Sequence, residues 1–441
     1  MRDVLFRFVR YLYHASGIDK VNGWLSDRRA TWMVPVVERN YRGRLIALRK
    51  SVRRGGRIKV GFLVNDASKW KYQSVYDRML ASTTYQPVVF VTLTRWYDGL
   101  ERAEREARDV YSYFERRGIN VLFAYSFESH KPISLRKFGP DIVFFEQPWD
   151  IFPLHDPSKV SEFALTCYSF YSIPNLEVLP VHCKMPFHRL VFRHFTLSQE
   201  WARLAYQVRG RVSAVGKIVA TGHPGLDEFH DCNLNANRTD GIVIYAPHWA
   251  FPHKDNPNFL DVSTFLWTGR AMLDYARKHP EIKWAFKPHP VLRIVLSKSG
   301  VMTEDEVDAY YGEWEEIGES CYTGDYPDLF RRSRAMITDC VSFLSEYGCT
   351  GKPLVRLVAA ETKVKFCHLT DGLYSTYYQV RKIEELEPAL DDLLVKGNDP
   401  NREARQAAAK AMNLTGTDAA GNIMRHLEEL IFGKGAGEKE A

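Results

Sequence analysis

The most constraining feature of this sequence is a series of short apolar runs that begins at residue 58. IKVGFLV (58–64), PVVFVTL (87–93), INVLFA (119–124) and DIVFFE (141–146) are rich in β-branched and aromatic residues. They recur roughly 25–30 residues apart, separated by charged, helix-favouring segments such as 99–116, and that rhythm implies βαβ units. Strands without polar alternation are buried on both faces, as in a parallel sheet. Further strands are expected at 164–170, 193–197 and 217–221. A second series follows the polar stretch 231–241: GIVIYAP (241–247), IKWAFK (282–287), AMIT (335–338) and PLVRLV (353–358). Ser263 is suited to cap a helix in which Phe265, Gly269, Met272 and Ala276 share a face.

Two doubly wound α/β domains facing a cleft account for both series, and 441 residues suit two or three domains at about 150 each. The predicted units are a basic arm (1–57) and two Rossmann-like domains (58–230 and 231–400). C-terminal helices (401–432) and a disordered tail (433–441) follow.

Charge is distributed unevenly. Residues 1–60 hold 15 Lys or Arg against 4 Asp or Glu, a balance of +11, so the other 381 residues carry −5 of the total +6. This distribution argues against a wholly basic nucleic-acid binder, and an arm that meets an anionic surface is the expectation. Residues 3–14 place Leu5, Phe8, Val9 and Leu12 at helical spacing beside Arg2, Arg7 and Arg10, which suits a membrane surface. The alternative is a solvated helical face packed on its own body. Seven scattered cysteines without C-x-x-C point to a reduced, cytoplasmic protein without a zinc ribbon.

Ligands in doubly wound folds bind beyond the carboxyl ends of strands, so the residues just after each run carry the functional expectations. After IKWAFK, Pro288 and Pro290 stiffen the backbone around His289, with Lys287 and Arg293 as phosphate partners. The plain alternative is a loop histidine in a satisfied hydrogen bond. After AMIT come Asp339, Ser342, Ser345 and Glu346. A serine at a helix start suits an anion, and Glu346, one turn on, suits ribose hydroxyls. Simple N-capping by Ser342 or Asp339 explains the same residues. His248 follows GIVIYAP, Glu146 ends DIVFFE with Asp150 four residues on, and Gly222 opens a turn between the domains. No P-loop, G-x-G-x-x-G after the first strand, H-E-x-x-H, G-x-S-x-G or strand-end Asp-x-Asp occurs; Glu306-Val307-Asp308 comes nearest, in a helix-start context. Metal-independent chemistry is the expectation, with no cofactor.

Taken together, PDIVFFEQPWD (140–150), TGHPGLDEF (221–229), YAPHW (245–249), STFLW (263–267), WAFKPHP (284–290), GDYPDLFRRSRAMITDCVSFLSEY (324–347) and TGKPL (350–354) resemble the CDP-glycerol glycerophosphotransferase family of teichoic-acid and capsule polymerases. The resemblance covers roughly residues 58–390 and leaves the basic arm outside. It implies a GT-B fold with the donor nucleotide, CDP- or CMP-linked, in the C-terminal domain. It implies that His289 is essential, that Asp339 and Ser342 lie near the donor diphosphate with Val341 replacing a serine, and that Glu346 holds ribose. Gly222, Pro224 and Asp227 match the interdomain turn, with His223 in place of tyrosine. The family's N-domain histidine, a proposed base, has Tyr171 nearest its place here. A phenol with a pKa near ~10 is a poor base, so Glu146, Asp150 and His248 become candidates.

The implied activity is transfer of a polyol phosphate or sugar to a cell-surface polysaccharide or lipid-linked acceptor, at the inner membrane face. An ordinary nucleotide-sugar glycosyltransferase, a 2-epimerase and a non-catalytic donor-binding subunit are the alternatives.

Overall fold

The structure is a computed structural model that describes residues 18–94, 99–173, 175–177, 183, 185–209, 217–229, 240–251, 261–320, 326–360, 362–412 and 418–433. The segment 3–14, most of the interdomain stretch near 230 and nearly all of the expected tail lie outside these residues.

The first sheet contains β1 (Ile58–Val64), β2 (Tyr85–Val91) and β3 (Val121–Phe123), then β6 (Ile142–Phe145), β7 (Leu165–Ser169), β8 (Arg193–Thr196) and β9 (Ile218–Ala220). Between them lies a small antiparallel hairpin, β4 (Tyr125–Ser126) with β5 (Lys131–Pro132). All seven strands run parallel in the order β3-β2-β1-β6-β7-β8-β9. The second sheet is parallel too, in the order β12-β11-β10-β13-β14-β15. Its strands are β10 (Ile242–Ala246), β11 (Trp284–Phe286), β12 (Glu319–Ser320), β13 (Ser333–Thr338), β14 (Leu354–Leu357) and β15 (Tyr378–Val380).

Every expected strand forms, within two or three residues at each end. β12, β15 and the hairpin were not expected. β12 and β15 are two- and three-residue edge strands with exposed positions, so they lack the continuous apolar run that marks a central strand. The face Phe265, Gly269, Met272 and Ala276 is buried as expected, but Thr264 occupies the cap position of helix Phe265–Lys278. Ser263 instead donates its hydroxyl to the His248 carbonyl at 2.6 Å. Thr303 and Glu306 form a reciprocal capping box that opens helix Glu304–Ile317.

The first and last described helices both belong to the first domain. Helix Ile18–Val52 buries Ala30, Val34, Val37, Tyr41 and Leu48 in the same core as Ile58, Val60 and Phe62 of β1. From Ile18 onward, then, the expected arm is a structural helix and the domain begins earlier than residue 58. Its burial comes from five positions spaced three, four and seven apart, a pattern that dense surface arginines obscure. Helix Ala419–Phe432 joins the same core through Ala420, Ile423, Leu427 and Ile431. Asp227 accepts from the N–H groups of Ala419 and Ala420 at 2.9 Å each, and Arg49 donates to the Leu430 carbonyl at 2.9 and 2.6 Å. Helix Arg402–Met412 stays with the second domain, where buried Arg405 binds Asp399 and the Gly351 carbonyl.

Candidate functional site

Strand order turns at β1/β6 in one sheet and at β10/β13 in the other. Crevices open beyond the carboxyl ends of strands at such points. Residues that follow β1, β7, β10, β11 and β13 line one cavity of about 690 Å³ between the domains.

On the C-terminal wall, His289 is fixed from several sides. Its N–H donates to the Pro247 carbonyl at 3.0 Å, and its Nδ1 accepts from the Val291 N–H at 3.2 Å. Burial, with Lys287 adding to it, lowers its pKa to about 4. The ring is therefore neutral near pH 7 and carries its proton on Nε2, which makes it a hydrogen-bond donor. His248 packs edge-on behind it, ring centroids 4.9 Å apart. Burial keeps that imidazole neutral as well, and its Nδ1 accepts from Ala250 N–H at 3.1 Å. Lys287, 3% exposed, and Ser342 complete this wall.

Asp339 is not part of the cavity lining. Its Oδ1 accepts from the His248 N–H at 2.5 Å, and its Oδ2 accepts from the Thr264 N–H and hydroxyl at 2.6 and 2.8 Å. One carboxylate thus ties together the ends of β10 and β13 and the start of helix Phe265–Lys278. Burial raises its pKa to about 6. Both oxygens are committed to backbone and side-chain donors, so Asp339 is a clamp rather than a ligand-binding group. Ser345 turns away as well, its Oγ 2.6 Å from Tyr374 Oη. Arg293 pairs with Asp308 at 2.6 Å over the Tyr311 ring and lies outside the lining. Gly222 takes φ +87 in the interdomain turn, which explains a glycine there without a ligand.

The N-terminal wall carries charge. Asp66 caps the turn Ala67–Lys69: its Oδ1 accepts from the Ser68 N–H and hydroxyl at 2.9 and 2.7 Å, and its Oδ2 lies 3.1 Å from Lys69 Nζ. Burial works against the charge on Asp66, but Lys69 and Ser68 outweigh it and hold the carboxyl below its ordinary pKa. Its negative charge is felt by His289 across the cleft. Tyr171 lines the cavity, and burial raises its pKa, which makes it a still poorer base.

Glu146 and Asp150 sit elsewhere, beside a separate cavity of about 10 Å³ that Asn65, Thr92 and His155 also border. Burial raises Glu146 to about 8, so it is protonated at neutral pH and cannot take a proton. Its Oε2 accepts from the N–H groups of Asn65 and Asp66 at 2.9 and 3.3 Å. The strand end bearing Glu146 lies beneath the loop bearing Asp66, and the glutamate positions that loop.

A third set joins the walls. Glu346 Oε2 accepts from Tyr326 Oη at 2.5 Å and from Lys71 Nζ at 3.2 Å, and Lys71 also donates to Tyr326 Oη. His223 packs beside them, neutral because burial lowers its pKa to about 4, and donates from Nε2 to the Phe170 carbonyl at 2.7 Å.

The structure therefore brings together His289, Lys287, Ser342, Glu346 and Tyr171. It leaves His248 behind the site and Glu146, Asp150, Asp339, Ser345, Arg293 and Gly222 out of it. Sequence reading missed Asp66, Ser68, Lys69, Lys71 and Tyr326. The strand-end rule applied to IKVGFLV would have reached the first four. Among the described residues, no three or more His, Cys, Asp or Glu side chains are grouped to hold a metal ion.

No family model and no curated protein matches the sequence. Solved structures match the fold. The UDP-GlcNAc 2-epimerase of Neisseria meningitidis bound to UDP-GlcNAc aligns over 85% of this chain and 100% of its own, with a TM-score of 0.53 at 12% identity. The S. aureus MnaA–UDP structure aligns over 85% and 97%, at TM-score 0.51 and 13% identity. A further UDP-N-acetylglucosamine 2-epimerase covers 87% and 98%, at TM-score 0.52 and 13% identity. The chain has the GT-B-type fold. At these identities the likeness extends to architecture alone, and it does not reach the CDP-glycerol glycerophosphotransferase family.

Proposed function

We propose that this chain is a metal-independent GT-B transferase acting on a nucleotide-activated donor. It moves a polyol phosphate, or a sugar, to a polysaccharide or lipid-linked acceptor. The observation that carries this reading is the pairing of two unlike walls across one cavity: neutral His289 with Lys287 on one side, ionised Asp66 with Lys69 on the other. In phosphoryl transfer, the acceptor oxygen attacks the phosphorus that bears the polyol, and the bond to the nucleoside monophosphate breaks. The proton of the acceptor hydroxyl passes to Asp66 Oδ2, which becomes free to take it, and more basic, when Lys69 turns from it to a donor phosphate oxygen. The Nε2–H of His289 and the Lys287 ammonium bind phosphate oxygens as charge builds on the leaving group, and fixed donors of this kind act in a partly dehydrated site. The Lys287 charge, with the neutral His289 N–H as a fixed donor, supplies the neutralisation that a metal gives in other transferases. Ser342 and Glu346 hold the donor, once the Glu346 contacts to Lys71 and Tyr326 rearrange.

A screen of CDP-glycerol, CDP-ribitol, CMP-sugars and UDP-sugars, read by thermal shift and released nucleotide, tests the reading. A donor that binds the native state raises the unfolding temperature. Released nucleoside monophosphate from a CDP-polyol supports phosphoryl transfer, and released diphosphate supports sugar transfer. Donor binding without turnover under any acceptor would sink the transferase reading. The second reading is epimerisation of a nucleotide sugar, supported by the 2-epimerases that share the fold. It predicts a new nucleotide sugar with no acceptor present.

A further inference from the structure

Helix Ile18–Val52 has two faces of opposite character. The inner face is apolar and buried. Its outer face carries Trp32, Val36 and Ile46, exposed to 76%, 44% and 66%. Residues spaced by three and four share a helix face, so Arg39, Gly43 and Lys50 fall on the same stripe as these three. Arg28, Arg29, Arg42, Arg53 and Arg54 flank it, all exposed.

The described acidic side chains of this helix, Asp27 and Glu38, are turned away from the stripe. Asp27 pairs with Arg189 at 2.7 Å, and Glu38 pairs with Lys217 at 3.4 Å, both on the protein body. The stripe thus has no carboxylate of its own among residues 26–57. A folded protein seldom leaves a tryptophan three-quarters exposed on a regular helix, and here the charged residues one turn before it, Arg28 and Arg29, are both cations.

We infer that the outer face of this helix is a docking surface for an anionic lipid bilayer, with Trp32, Val36 and Ile46 seated at the headgroup boundary and the flanking arginines on the lipid phosphates. Charge complementarity selects an anionic surface, and the three apolar side chains select a bilayer over a nucleic acid. An indole is amphipathic and settles where apolar and aqueous phases meet. No described helix is long and apolar enough to cross a membrane, so attachment through this face is peripheral. The inference depends on the helix alone and stands whether the cleft transfers or epimerises.

Co-sedimentation of the full chain with vesicles of pure phosphatidylcholine, or of phosphatidylcholine mixed with phosphatidylglycerol, tests it. The chain should bind only the anionic vesicles, and salt should release it. The double variant W32S/I46S should weaken binding by at least about tenfold, and each arginine of Arg39 and Arg42 changed to Gln by about fivefold, since a surface charge contributes about that much. These side chains are exposed, so the unfolding temperature should stay within a few degrees. Removal of residues 1–17 should leave substantial binding. Binding that survives W32S/I46S, or is lost entirely on removing residues 1–17, overturns the inference. So does a concentration-dependent dimer that W32S/I46S dissociates, because the face would then meet a second copy. Equal affinity for single-stranded RNA with no dependence on Trp32 would overturn it as well.

Discussion

The C-terminal wall of the cleft is held by short, fixed contacts, whereas the N-terminal wall is held by charge. His289 has its backbone pinned between two prolines, its Nδ1 occupied, and a second buried imidazole behind it. Asp339 then fastens the loops on either side through three hydrogen bonds. Asp66, in contrast, sits on a single turn and keeps its ionised state through Lys69 and two serine donors. Lys71 reaches over to Glu346 on the other domain. One wall is pre-organised before any ligand arrives. The other consists of charges whose partners can be exchanged, as a wall that must admit and release substrate requires.

Breaking the rigid wall should cost the most. His289→Ala should lower turnover by about 10²–10³-fold, as loss of a single pre-organised donor does, with an unchanged circular dichroism spectrum. Unchanged turnover would remove His289 from the site. Asp339→Ala leaves the N–H groups of His248 and Thr264 buried without a partner. It should lower unfolding free energy by about 3 kcal/mol in a denaturant titration. Asp339→Asn should recover part of this, since an amide oxygen still accepts.

Effects on the charged wall should be smaller and should appear in binding. Lys71→Met removes the cation that bridges to Glu346 while keeping the chain's bulk. If the pair competes with the donor for Glu346, nucleotide affinity should change by about tenfold or less, with turnover nearly constant. A larger fall in turnover would make Lys71 part of the chemistry.

Glu146→Gln should have the smallest effect on activity, within about twofold, because the native carboxyl is already protonated and the amide preserves its shape. Its signature should be in the pH dependence of stability. The folded chain holds this proton up to about pH 8, while the unfolded chain releases it near 4.5. Stability is therefore fully present below 4.5 and is lost as the pH rises toward 8. Glu146→Gln should flatten that decline, and an unchanged decline would place the titration elsewhere. His289 contributes in the opposite direction. Its folded value near 4 lies below its ordinary 6.5, so stability is lost as the pH falls between those two values.

The same contrast explains what could be read from the chain. The rigid wall advertises itself locally: Pro288 and Pro290 around His289, after an unbroken apolar strand, mark a stiff loop wherever the rest of the chain goes. The charged wall has no such mark. Asp66, Lys69 and Lys71 are ordinary polar residues; Lys71 owes its importance to Tyr326 and Glu346, more than 250 positions away, and Asp66 to His289 across the cleft. Asp339 illustrates the reverse error. A carboxylate at a strand end looks like a ligand group, yet the packing of helix Phe265–Lys278 turns it into an internal tie.

The sequence by itself determined the two parallel sheets, their central strands and the crossover rhythm. Strand burial and helix spacing are written in periods of a few residues, and neighbouring side chains set them. Only the tertiary structure decided which strand ends face one another, that Glu146 is protonated beneath a loop, and that the basic N-terminal segment from Ile18 onward is a structural helix with one bare face. Burial, desolvation and long-range pairing depend on what the rest of the chain brings to a place, and no local window of sequence contains that information.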